Sequence, residues 1–201
     1  MAINKLKKLG FDLDNTIADS LPIKLINNEL IKNKECKTKI CKKHFTSYYF
    51  DNIKGLDHDL FIKLYKAYWN EQKNNMDKNI IKLIDSKIPK IINNLSNHYE
   101  IYIVTASSLD AETIFKWLFK NQIFIPKENL ILCKPEEKVN FGIDVYIDDN
   151  YEEVALKVAA NNKISIVLEQ PWNKKLLNEN TNKNIIPAKN WSKIESILLR
   201  K

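Results

Sequence analysis

Glycine is scarce in this chain, at three in 201 residues, and so is cysteine, also at three. Cys36, Cys41 and Cys133 are too few and too scattered for a disulfide framework, which points to a reducing compartment. No apolar run approaches the length that spans a bilayer and the amino terminus carries no secretory h-region, so a soluble, cytoplasmic protein with no membrane partner is expected. Arginine is nearly absent: the excess of 32 basic over 25 acidic residues, a formal +7, is almost all lysine. With abundant asparagine and little glycine, that pattern reads as the coding bias of an AT-rich genome rather than as an arginine-lined groove, so nucleic acid is not the expected partner. Positive charge is nonetheless compatible with a cleft that gathers small anions such as phosphate esters.

What is present alternates. Lys8 to Leu13 and Tyr99 to Thr105 read as buried strands, and Leu130 to Cys133, Asp144 to Ile147 and Lys163 to Leu168 as three more. Helical periodicity lies between them, over Pro89 to Ser96, Ala111 to Lys120 and Tyr151 to Ala160, and Trp191 to Leu199 reads as a final amphipathic helix. Strands alternating with helices predict an α/β fold, a doubly wound parallel sheet of Rossmann-like type covered on both faces. The stretch from about Asp19 to Lys78 breaks the alternation with helical apolar spacing and a dense aromatic cluster. It is expected to form a small α-helical cap inserted after the first strand, with residues 1–18 and 79–201 making the core.

Residues 10–16, Gly-Phe-Asp-Leu-Asp-Asn-Thr, end the first apolar run. Side chains alternate along a strand, so Asp12 and Asp14 leave the same side of the backbone. Two carboxylates that close repel in a partly dry site unless a divalent cation lies between them. Thr105-Ala106-Ser107 ends the second strand and Asp148-Asp149-Asn150 the fourth. In a parallel sheet the ligand lies beyond the carboxyl ends of the strands, so the topology gathers all three groups.

In order and spacing, Asp12-Leu13-Asp14-Asn15-Thr16, the threonine of Ile103-Val104-Thr105-Ala106-Ser107, an upstream lysine and Ile147-Asp148-Asp149-Asn150 resemble the four motifs of the haloacid dehalogenase superfamily of phosphohydrolases. The resemblance implies a Mg²⁺-dependent phosphatase: Asp12 attacks phosphorus and forms an aspartyl phosphate, and Asp14 serves as general acid and then general base. It implies that Thr16 holds Asp14 and its loop, that Thr105 and the backbone N–H of Ala106 bind phosphoryl oxygens, and that a lysine neutralises their charge. Lys138, ten residues before Asp148, is preferred to Lys134, which follows the third strand more directly. The implied Mg²⁺ ligands are the Asp12 carboxylate, the Asp14 carbonyl and Asp149, with Asp148 one step out or exchanging roles with its neighbour.

Within that superfamily the chain looks most like the 5′(3′)-deoxyribonucleotidases, the C-type 5′-nucleotidases, on the helical cap, the lysine before the fourth motif and the Gln170-Pro171-Trp172-Asn173 segment ahead of a tryptophan-led helix. This implies a small phosphorylated substrate, a nucleotide, whose base stacks on cap aromatics, with Phe45, Tyr48 and Tyr49 the candidates. Sugar phosphates, phosphorylated polynucleotide ends and a non-catalytic binding module are the competing readings. A homodimer is left open. Asp148 and Asp149 can also cap the helix that follows them, and Cys36, Cys41 and His44 lack a fourth ligand at a zinc-finger spacing.

Overall fold

The computed structural model describes residues 7–34, 38–50, 52–75, 78, 80–107 and 109–199. Six strands, β1 (Lys7–Phe11), β2 (Tyr99–Thr105), β3 (Leu130–Leu132), β4 (Val145–Asp148), β5 (Ile164–Leu168) and β6 (Ile185–Ala188), form one all-parallel sheet in the order β3-β2-β1-β4-β5-β6. The order reverses between β1 and β4, and a cleft opens at such a switch point beyond the strand ends. β6 escapes the sequence reading because it is four residues long and contains Pro187; proline is tolerated there because β6 is an edge strand.

Alternate side chains feed two cores, as a sheet covered on both faces requires. On one face Leu9, Phe11, Ile101, Ile103, Ile147 and Ile166 pack against α3 (Ile88–Leu95), α4 (Ala111–Lys120) and α7 (Trp191–Leu198). On the other, Tyr102, Val104 and Tyr146 meet Ile143, Val154 and Val158, and Val167 meets Leu177 of α6 (Lys174–Glu179). Gly10 faces this second side, where a Cβ would lie 3.1 Å from Ile143 Cγ2, so the strand that carries the first motif sits close against its cover. The helix expected over Tyr151 to Ala160 begins with a π-helical stretch, Tyr151–Ala155, before α5 (Leu156–Ala160). Asn150 starts it: its Oδ1 accepts from Glu153 N at 2.9 Å and its carbonyl accepts from Ala155 N at 3.0 Å.

The chain leaves the sheet after β1 and returns beside its own exit: Asp19 N donates to Lys82 O and Ile84 N to Ile17 O, at 2.8 and 2.9 Å. Between them run α1 (Ile23–Lys32) and α2 (His58–Asn74). Leu21, Ile26, Leu30, Phe45, Phe50 and Phe61 form their shared apolar cluster. That cluster is not self-contained, since Trp172 from the loop after β5 completes it. The far half of α2 belongs to the main core, where Trp69 meets Trp117 of α4 edge-on, centroids 6.0 Å apart. No helix among the described residues is long and apolar enough to cross a membrane.

Candidate active site

Leu13 ends the buried run of β1 and the chain turns at once, with Ile17 N and Ala18 N both donating to Leu13 O. Asn15 takes φ +56° in this turn, a left-handed conformation that asparagine tolerates better than most residues. The Asn15 carbonyl accepts from Gln170 Nε2 and the Thr16 carbonyl from Trp191 Nε1, at 2.8 and 2.9 Å, so late segments of the chain clamp the first motif. Trp191 also stacks on Phe11, centroids 5.3 Å apart.

Carboxylate oxygens of Asp12, Asp148 and Asp149 lie within 4.8 Å of one another, and all three residues are buried. Lys138 Nζ bridges two of them, 2.7 Å from Asp12 Oδ1 and 2.6 Å from Asp148 Oδ2. Lys134 is exposed at the start of the 3₁₀ turn that carries Lys138, and Tyr146 donates its hydroxyl to the Lys138 carbonyl. Asp148 Oδ1 accepts from Asn150 N at 2.8 Å. Asp149 is held by Trp172 Nε1 at 2.9 Å and, more weakly, by Thr16 Oγ1 at 3.4 Å.

One ammonium among three buried carboxylates leaves the cluster strongly negative. Burial pushes the Asp12 carboxyl well up, opposed by Lys138 and reinforced by Asp148, Asp149 and Asp14. Asp149 is pushed up to about 7, by burial and then by Asp148. Burial alone would lower the Lys138 ammonium, but Asp12 and Asp148 hold it above its ordinary value. Converging hard oxygen donors with uncompensated charge fit a hard divalent cation. Two nearby polar atoms, Asn15 Oδ1 and Asn150 Nδ2, are buried without a hydrogen-bond partner, as expected beside a ligand that completes them.

Asp14 stands apart from that cluster. Tyr65 Oη donates to its Oδ2 at 2.7 Å and Trp69 Nε1 to its Oδ1 at 3.3 Å. Burial pushes the Asp14 carboxyl up, opposed by the hydrogen bonds from Tyr65 and Trp69 and by the Lys138 ammonium. Asp12, Asp14, Thr105, Ala106 and Lys138 line a cavity of about 300 Å³ whose remaining wall is largely apolar, with Tyr48, Phe50, Phe61, Ile62 and Val154. A neighbouring cavity of about 400 Å³ shares Tyr48, Phe50 and Phe61 and reaches Tyr49, His58 and Glu136. Phe50 lines both at φ +58°, a conformation that costs roughly 1–2 kcal/mol in a residue with a Cβ. Its ring packs 4.4 Å from Phe61 and 5.4 Å from Trp172, contacts that hold it there.

The model of the family described as 5′ nucleotidase, deoxy (pyrimidine), cytosolic type C protein matches residues 6–201. The chain belongs to this family. Among solved structures, the fold is similar to that of the haloacid dehalogenase-like hydrolase SP0104 from Streptococcus pneumoniae, at 16% identity and a TM-score of 0.61, covering 96% of this chain and 97% of that one. A predicted phosphatase from Clostridium acetobutylicum is 17% identical, with a TM-score of 0.61 over 98% and 99% of the two chains. The HAD-hydrolase YfnB from Bacillus subtilis, solved bound to magnesium, is 18% identical, with a TM-score of 0.54 over 98% and 100%. No curated protein matches the chain. It is a phosphatase on a haloacid dehalogenase-like fold.

In this C-type nucleotidase family member, the residues read from the three strand ends do meet at one site, but two expectations change. Thr16 turns its hydroxyl to Asp149, while Asp14 is held by Tyr65 and Trp69. Phe45 does not line the cavity: it is fully buried in the apolar cluster of α1 and α2, edge-on to Phe50. Tyr48 lines both cavities, and Tyr49 lines the second of them, its hydroxyl donating to Glu153 at 3.1 Å. Phe50, Phe61, Tyr65, Trp69 and Trp172 were absent from the sequence-derived site. The i, i+4 spacing of Phe61, Tyr65 and Trp69 was the available signal, because it places all three on one helix face. Cys41 and His44 lie together, Sγ to Nδ1 3.7 Å, whereas Cys36 falls outside the described residues. Among the described residues the acidic trio is the one group of His, Cys, Asp and Glu arranged to hold a metal.

Proposed function

We propose that this phosphatase is a Mg²⁺-dependent 5′-nucleotidase that hydrolyses nucleoside or deoxynucleoside monophosphates through a phosphoryl intermediate on Asp12. The observation that carries this reading is one arrangement: Asp12, Asp148 and Lys138 line the same cavity as the aromatic side chains Tyr48, Phe50 and Phe61. A phosphate ester enters charged end first and leaves an aromatic base between aromatic side chains.

Asp12 and Asp149, with the Asp14 carbonyl, would hold Mg²⁺, and Asp148 is within reach. When bound, the ion neutralises charge on the phosphoryl oxygens and on the nucleophile. The Asp12 carboxylate forms a bond to phosphorus as the ester P–O bond breaks, and Asp14 gives its proton to the departing alkoxide. Water then attacks the phosphoaspartate, Asp14 takes its proton, and the Asp12–phosphorus bond breaks to release phosphate. Lys138 fixes Asp12 and offers positive charge to the equatorial oxygens, joined by the Thr105 hydroxyl and the Ala106 N–H. The raised Asp14 carboxyl suits a group that must hold a proton in one step and accept one in the next. The family description carries the word cytosolic, and we place this chain in the cytoplasm as well.

Phosphate release measured across mononucleotides, sugar phosphates and end-phosphorylated oligonucleotides tests the assignment. Mononucleotides are expected to lead, with dependence on Mg²⁺ and no turnover by Asp12→Asn. A flat profile defeats the nucleotidase reading, and an active Asp12→Asn protein defeats the covalent one.

A further inference from the structure

Asp14 lies just past β1, yet its carboxylate is held from α2, some fifty residues later in the chain. Tyr65 reaches Asp14 Oδ2 at 2.7 Å and also lies 3.1 Å from Ser107 Oγ, on the loop after β2. Trp69, one turn further on, takes Oδ1. Lys73, another turn on, pairs with Asp110, the residue that caps α4, at 2.9 Å. These three side chains recur every four residues and so form one stripe along the helix. The indole of Trp69 is fully buried against Trp117. The stripe therefore seats α2 on the sheet's core and delivers the Tyr65 hydroxyl to a fixed point.

We propose that Tyr65 is a positioning residue for the proton transfers at Asp14, so that α2 supplies part of the acid–base apparatus and not only a wall of the substrate cavity. The inference rests on the two-step reading above. Tyr65 also lines the substrate cavity, but in this role it acts through Asp14 and undergoes no net proton change. A carboxylate on a strand-end loop has rotational freedom, and two donors on separate oxygens remove it. Misplacing a reacting group by about 1 Å costs on the order of a hundredfold in rate. Ser107 completes the support, since its hydroxyl can donate to Tyr65 Oη while Tyr65 donates to Asp14.

The test uses Tyr65→Phe in the full chain with Mg²⁺ and p-nitrophenyl phosphate. Nitrophenolate leaves without protonation, so formation of the phosphoaspartate does not need Asp14, whereas its hydrolysis does. The first turnover is expected at close to the wild-type rate, followed by later turnovers slowed about tenfold or more. On a deoxynucleoside monophosphate, kcat is expected to fall by a similar factor with KM within about threefold. Trp69→Phe removes the second donor and is expected to give the same split, so one variant decides if the other fails to fold. Equal slowing of both phases, a raised KM at unchanged kcat, or wild-type rates would each overturn the proposal. An active Asp12→Asn protein would instead overturn the reading on which it rests.

Discussion

The indole N–H of Trp172 donates to Asp149 Oδ2 at 2.9 Å, while the ring it belongs to lies edge-on to Phe50 at 5.4 Å. One side chain thus joins the acidic trio to the apolar cluster of α1 and α2. Next to it Asn173 Nδ2 donates to the Asp149 carbonyl at 2.8 Å, so side chain and main chain of this acid are both fixed by the loop after β5.

Trp172→Phe keeps a ring in the cluster and deletes the donor. A carboxylate that loses such outer support typically loses ten- to a hundredfold in metal affinity. The Mg²⁺ concentration for half-maximal activity is expected to rise about tenfold, with kcat at saturating Mg²⁺ near the wild-type value. An unchanged Mg²⁺ dependence would show that Trp172 serves packing alone.

The fold was legible wherever period and position agreed. Asp12, Asp14, Thr105 and Asp148 each end an apolar run, and a parallel sheet brings such ends together. Spacing favoured Lys138 over Lys134, and the two differ in placement: Lys138 is 3% exposed and pairs with Asp12 and Asp148, whereas Lys134 is exposed. The partners of Asp14 were hidden for a physical reason. Tyr65 and Trp69 are 51 and 55 residues from it in sequence, and aromatic residues on a helix look alike whether they pack or donate. β6 was hidden by its proline.

Asp110 opens α4 by accepting from Thr113 N at 2.8 Å and from Lys73 Nζ at 2.9 Å. The Lys73 ammonium and the Thr113 donors hold its carboxyl below the usual carboxylate range. A carboxyl lowered on folding stabilises the protein at pH values above its unfolded pKa, and that contribution is lost as pH falls through the folded value. Asp110→Ala is expected to cost about 1 kcal/mol at neutral pH, the usual worth of an N-cap. The gap between denaturant melts of the two proteins should narrow progressively as pH falls below about 4, where the unfolded chain's carboxyl takes up its proton while the folded one stays ionised to lower pH. A gap that stays constant down to pH 2 would mean that the charge contributes nothing.

Phe45 and Tyr48 lie three residues apart but differ in placement, one in the apolar cluster and one at the cavities. Phe45 has no exposed surface and sits among Ile26, Leu30 and Phe50, so Phe45→Ala opens a cavity and is expected to cost about 3–5 kcal/mol of stability. Tyr48 lines both cavities and is only partly buried. A stacked base is worth about 1–3 kcal/mol, so Tyr48→Ala is expected to raise KM for a deoxynucleoside monophosphate roughly tenfold. The same change should leave KM for a phosphate ester without a base within about twofold. Thermal melts and steady-state kinetics on the two variants read the two effects separately. Equal KM changes on both esters in Tyr48→Ala would remove Tyr48 from the base site and leave Phe50 and Phe61 as its walls.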